Sequence, residues 1–233
     1  MEEVFEKLER VTIAEISIGG FTFSLTNTLL CVWIAAGLLI VVSLLFARKL
    51  GQRPGKIQVI LEMLVGFVRN MCRDFIGDRL YHKYVPYVGT LFLFLCISNI
   101  LAVFNFIPGM RLYPPTKDIN VTMPLALMTL MLVFYSSFRY KGPIGTAKDL
   151  VKPLPIMLPF KLMEYVTKPL SLCLRLFGNV VAGFVIMELI FGLFGLVAAP
   201  FSAYFDLFDG ILQAYIFVFL TCLYIGEAVE EDT

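Results

Sequence analysis

Five windows of the chain carry no charged residue and are long enough to matter to a bilayer. They are Ile16–Ala47, Tyr84–Met110, Ile119–Phe138, Pro169–Met187 (interrupted by Arg175 and extended by Leu189–Phe205) and Gly210–Gly226. A helix rising about 1.5 Å per residue needs roughly 17–25 apolar residues to cross the hydrocarbon core. Four windows therefore predict ordinary spans. From Pro159 to about Ala199 the pattern is too long to cross upright, which predicts a helix that tilts steeply or runs partly along the membrane. Pro200 predicts the turn before the last helix. Charged residues make up 16% of the chain, against about 25% in soluble domains. The expected fold class is thus an all-α membrane protein. A formal net charge of +1 argues against a nucleic-acid partner.

The expected organisation is one membrane domain with about five membrane-embedded helices. An acidic N-terminus (1–15) precedes a first span (16–47), and a surface helix (55–80) precedes a hairpin of spans (84–107 and 119–138). Two tilted helices (155–199 and 201–227) complete it. In the surface segment, Ile57, Ile60, Leu61, Leu64, Phe67 and Val68 recur at helical spacing, while Glu62, Arg69, Arg73 and Asp74 break any spanning run. That pattern fits an amphipathic helix on the membrane surface or against a partner. Basic residues follow the first span (Arg48, Lys49, Arg53, Lys56) and the third (Arg139, Lys141, Lys148, Lys152). Both loops are therefore expected in the cytoplasm, which puts the N-terminus outside and the C-terminus inside. The acidic start MEEVFEKLER resembles neither a signal peptide nor a transit peptide, which favours a bacterial plasma membrane. Cys31, Cys72, Cys96, Cys173 and Cys222 are scattered without CxxC spacing and read as small buried hydrophobes. His82 has no Cys or His neighbour, so no metal site or cofactor is expected.

Between Lys168 and Glu188 the only charged residue is Arg175. At bilayer depth an arginine costs roughly 2.5–3.5 kcal/mol on insertion scales. At 100° per residue, Ser171, Arg175, Asn179 and Ala182 share one stripe, flanked by Gly178 and Gly183. Small residues let another helix approach closely, so this arginine either faces a close-packed neighbour, pairs within its own subunit, or snorkels to the surface. Glu188, thirteen positions on, lies about 220° round the helix and faces away. On the last helix, Asp206, Asp209 or Gly210, Gln213, Phe217, Leu220 and Tyr224 form a second stripe. Intramembrane carboxylates often mark ion pathways. Asp206 and Asp209 have an alternative reading as interfacial acids at a helix start, where the dipole favours them. A fixed cation with acids elsewhere suits the movement of protons or Na⁺. No Ser/His/Asp arrangement, HExxH, Walker loop or GxGxxG is present, so no catalytic residue is expected. A transporter would show inverted repeats, which are not evident, and a membrane scaffold would have no need of a mid-membrane arginine.

SLCLRLFGNVVAG (Ser171–Gly183) resembles the arginine motif of subunit a of F-type ATP synthases. So do PGKIQVILEMLVGFVRNM (Pro54–Met71), VPYVGTLFLFLCISNILAVFNFIPG (Val85–Gly109), PPTKDINVTMPLAL (Pro114–Leu127) and LQAYIFVFLTCLYIGEA (Leu212–Ala228), in family order. The resemblance implies a non-catalytic membrane stator whose last two helices pack against a rotating c-ring. Two offset half-channels would carry H⁺ or Na⁺ to and from the ring carboxylates, and peripheral-stalk b subunits would be further partners. Arg175 matches the family's arginine. A permanently charged guanidinium favours ion release from a passing carboxylate and blocks direct leakage. Asn179 matches the asparagine four residues later, and Gln213 the glutamine of the final helix. Asp206 falls where members carry an ionisable entry residue, with Asp209 one turn on. Glu164 falls where some members carry an exit acid, while others have theirs at the position of Lys161. Nine residues after the arginine, where Glu or His is common, this chain has Phe184. Glu188, about 40° away on the same face, is expected to take that relay role.

Overall fold

The computed structural model describes residues 12–18, 21–47, 55–103, 115–143, 145–146, 158–195 and 199–229. Two strands, β1 (Thr12–Ile18) and β2 (Phe21–Thr26), form an antiparallel hairpin in which Ile18 pairs with Phe21 and Ile16 with Phe23. Among the described residues the long helices that follow are α1 (Asn27–Ala47), α2 (Lys56–Ile76), α3 (Tyr81–Val103), α4 (Ile119–Tyr140), α5 (Leu158–Phe194) and α6 (Ala199–Val229). A 3₁₀ turn, Pro115–Lys117, precedes α4. All of these helices except α2 contain a stretch long and apolar enough to cross a membrane. The protein is therefore an all-α membrane protein in its spanning portion, with five such helices among the described residues.

The hairpin changes the start of the first span. Sequence patterning runs one apolar segment from residue 16, whereas the structure keeps strand geometry through Thr26 and begins α1 at Asn27. The reason is local. Residues 12–26 are rich in Ile, Phe and Thr, with Ser17, Thr22, Ser24 and Thr26 alternating among apolar neighbours, a period-2 pattern with strong strand preference. From Leu29 onward the polarity disappears, and α1 exposes Trp33, Ile34, Leu38, Val41, Leu44 and Leu45. Cys31 and Ala35, one turn apart, are its buried positions among the described side chains, so α1 meets the rest of its unit along a narrow seam of small residues.

Two compact units divide the chain. Unit 1 comprises Met1–Leu50, Leu93–Asp118 and Phe177–Ala214; unit 2 comprises Gly51–Phe92, Ile119–Leu176 and Tyr215–Thr233. In unit 1, α1 packs against β2 and the 3₁₀ turn. In unit 2, α4 turns Thr122, Ala126, Thr129, Val133, Ser136 and Ser137 inward along one face. That face meets neighbours through small and hydroxyl groups: Tyr84 Oη donates to Ser136 Oγ at 2.7 Å, and Thr122 Oγ1 lies 3.5 Å from Cys173 Sγ. Helix α2 packs on α6 through Cys72 and Cys222, whose sulfurs are 3.8 Å apart, and through an edge-on Phe75–Phe219 pair at 4.8 Å. Gly226 makes that approach possible. A Cβ there would stand 3.1 Å from the carbonyl carbon of Phe75 and would collide with its oxygen. Past the end of α2, Arg73 pairs with Asp78, and the carboxylate holds the guanidinium above its ordinary pKa.

Helix α5 has 37 residues, about 55 Å at 1.5 Å per residue. That exceeds the roughly 30 Å hydrocarbon core, so the helix must tilt steeply or project beyond it. Pro169 removes one rung of its ladder. The helix stops at Phe194 because Gly195 adopts φ 57°, a left-handed end that glycine takes without strain. This break separates α5 from α6 before Pro200, which lies in the first turn of α6 where its missing N–H costs nothing.

Candidate functional site

Arg175 lies 17 residues from the start of α5 and 19 from its end, and it is the only charged residue of that helix between Lys168 and Glu188. Its side chain is exposed on the isolated chain, and among the described residues no hydrogen bond or ion pair reaches it. Ser171, one turn earlier, is exposed as well. Leu172, Cys173 and Leu176 are buried. Unit 2 thus buries the apolar face of this segment and leaves the Arg175 face open.

In unit 1 the polar stripe of α5 meets a carboxylate. Asn179 Nδ2 donates to both oxygens of Asp209, each at 2.7 Å. Both residues are half-buried. Patterning along single helices separates these residues, because the contact depends on how α5 and α6 are registered. The neighbouring Gly210 is buried, and its carbonyl accepts from Asn99 Nδ2 of α3 at 2.8 Å. Asn99 Oδ1 in turn accepts from Thr116 Oγ1 at 2.8 Å. Gln213, one turn beyond Asp209, is 3% exposed, and its Nε2 has no protein partner among the described residues; Ser98 Oγ of α3 is in the same position. Orphaned polar atoms at such depth are usually satisfied by ordered water.

Unit 2 holds a second polar group. Lys168 Nζ binds Glu164 Oε1 at 2.7 Å and Glu227 Oε2 at 2.5 Å, and it lies 5.0 Å over the ring of Tyr224. Glu164, Lys168 and Arg175 fall at −11, −7 and 0 along α5, within about 20° of one line at 100° per residue. Glu164 is therefore on the Arg175 face, already engaged by a lysine. Glu227 and Asn99 are not among the residues that sequence patterning selects. Each had a visible signal, Asn99 as a polar residue within LFLFLCISNILAV and Glu227 as the first acid after a charge-free span. Glu188 lies in α5 and Asp206 in α6, but their side chains, and that of Phe184, are outside the described residues.

Comparison with known proteins decides the family. The profile of the ATP synthase A chain family matches residues 29–226. The chain belongs to the ATP synthase A chain family. It is 37% identical over 228 residues to the protein named "ATP synthase subunit a, sodium ion specific" of Propionigenium modestum, covering 92% of this chain and 78% of the relative. As a member of this family it is a non-catalytic membrane stator subunit of the ATP synthase complex, with ion transport and the c-ring as its context.

Proposed function

We propose that this chain forms the two half-channels of the ATP synthase stator, passing H⁺ or Na⁺ to and from c-ring carboxylates, with Arg175 standing between them. The observation that carries this reading is the exposure of Arg175 in the middle of α5. A guanidinium at that depth is tolerable only beside a partner that balances it, and a ring carboxylate is such a partner. While near Arg175, that carboxylate is held ionised and releases its ion; away from it, it reloads. Asn179, Asp209, Gln213 and Asp206 line the path on one side, with Glu188 standing in for the ionisable group missing at Phe184. Glu164 serves the opposite path. Peripheral-stalk b subunits are further partners. The membrane is the bacterial plasma membrane, with the N-terminus outside and the C-terminus in the cytoplasm, as the basic loops require. Na⁺ is the ion to examine first, because the Propionigenium modestum relative carries sodium specificity in its name.

The test is Arg175→Ala and Arg175→Lys in the assembled complex reconstituted into vesicles. Loss of ATP-driven ion pumping with normal recovery of the complex is expected, and pumping at the unaltered rate overturns the proposal. Glu188→Gln is expected to stop pumping too. If it does not, Glu188 is not the relay.

A further inference from the structure

One junction in unit 1 lies next to the proposed path but outside the residues assigned to it. Asn99 is 4% exposed and Thr116 fully buried. The Asn99 amide is held at both ends, its Nδ2 on the Gly210 carbonyl and its Oδ1 under the Thr116 hydroxyl. The orientation of the amide follows from chemistry, because a carbonyl only accepts and so must face the amide nitrogen. The two helices touch here. A Cβ at Gly210 would lie 2.7 Å from Asn99 Cβ, so glycine is the residue that lets α3 come this close. The residue held in place is adjacent to Asp209, and the Asp209 carboxylate is the group that Asn179 grips with its amide.

The consequence is geometric. A slip of α6 by one residue would move Asp209 by about 1.5 Å along the axis and turn it by about 100°, taking it off Asn179. Hydrophobic neighbours alone do not fix such a register in a membrane, where lipid is as apolar as the side chains. A buried amide that bonds one specific carbonyl does fix it. We propose that Asn99 is a positioning residue for the ion path: its bond to the Gly210 carbonyl, oriented by Thr116, sets the height and rotation of α6 that bring the Asp209 carboxylate against Asn179. This rests on the reading of Asp209 and Asn179 as lining that path.

The experiment separates the two ideas. Cysteines are placed at positions 179 and 209 in a chain whose native cysteines are replaced by alanine, and oxidative cross-linking between them is measured in the assembled complex with and without Asn99→Leu. ATP-driven pumping is measured in parallel on Asn99→Leu with 179 and 209 intact. A bond of this kind is worth about a two- to tenfold bias between registers. The 179–209 cross-linking rate should fall measurably, by up to that factor, and pumping per ATP hydrolysed should fall with it. Unchanged cross-linking overturns the proposal, whatever pumping does. Reduced cross-linking with full pumping upholds Asn99 as the positioning group and overturns the role of Asp209 instead. If Asn99→Leu fails to accumulate, Thr116→Val, which keeps the amide but removes the hydroxyl that orients it, must show the same reduction; an unchanged rate there overturns the proposal equally.

Discussion

The contact of α2 with α6 at Gly226 gives a prediction whose sign is set by geometry. Carbon atoms rest at about 3.5–4.0 Å, and a Cβ at position 226 would meet the Phe75 carbonyl carbon at 3.1 Å, with the oxygen nearer still. Backbone cannot rotate aside as a side chain does, so Gly226→Ala must push the helices apart by several tenths of an ångström or more. That loosens the Cys72–Cys222 and Phe75–Phe219 contacts together. Overpacking of this kind costs about 1–3 kcal/mol, against a gain of about 0.5–1 kcal/mol from replacing a helical glycine. The net loss, up to about 2 kcal/mol, converts to a fall of several degrees in melting temperature, at roughly 2–4 °C per kcal/mol for a chain of this size. Gly37 in α1 is the control. Among the described residues nothing beyond its own stretch of helix lies within 4 Å of a Cβ there, so Gly37→Ala should raise the melting temperature by about 1–4 °C through propensity alone. Both are read on the detergent-solubilised subunit with a thiol-reactive fluorogenic dye, which reports the buried cysteines Cys31, Cys72, Cys173 and Cys222 as they become accessible. Opposite signs are expected. A rise at both positions would refute the close approach of α6 to the α2 backbone.

Three further expectations follow from single contacts. Gln213→Leu removes a buried amide nitrogen that has no partner among the described residues, so the isolated subunit should melt no lower than the parent, while pumping by the complex should be lost. A melting temperature several degrees lower would mean that the amide has a partner. Lys168→Met removes the tie between Glu164 and Glu227, both about half exposed. The expected loss is at most about 1 kcal/mol, and a drop in melting temperature above about 5 °C would show a larger role. Tyr84→Phe deletes the donor to Ser136, a buried bond of 2.7 Å, and should lower stability by about 0.5–1.5 kcal/mol without changing pumping; lost pumping with normal stability would contradict a packing role.

What could be read in advance divides along physical lines. The helices were legible because charge-free windows of span length have few alternatives in a bilayer; the break between α5 and α6 was not, for the apolar pattern runs on to Ala199 and points to Pro200, whereas α5 ends at Phe194 before Gly195 and α6 already begins at Ala199. The start of α1 was not legible either. Apolar content is the same whether Ile16–Thr26 is strand or helix, and only the alternation of Ser and Thr distinguishes them. Arg175 was legible as an isolated charge. Its surroundings were not, because the Asn179–Asp209, Asn99–Gly210 and Lys168–Glu227 pairings join residues 30, 111 and 59 positions apart. Helical periodicity gives the face a residue occupies, not which neighbour that face meets or at what height. The stripe containing Asp209 or Gly210 and Gln213 was visible, but only the packed structure joins Asp209 to the stripe of Arg175.

Those three pairings share one helix, for Asp209, Gly210 and Glu227 all belong to α6. Synthesis runs from the N-terminus, so α6 leaves the ribosome after α1 to α5. Until it inserts, Asn99, Asn179 and Lys168 wait in the membrane without these partners. A nascent chain stopped short of α6 would thus display unmatched polar groups on several helices at once. The order of translation thus makes α6 the helix that supplies the missing partner in each of these pairings.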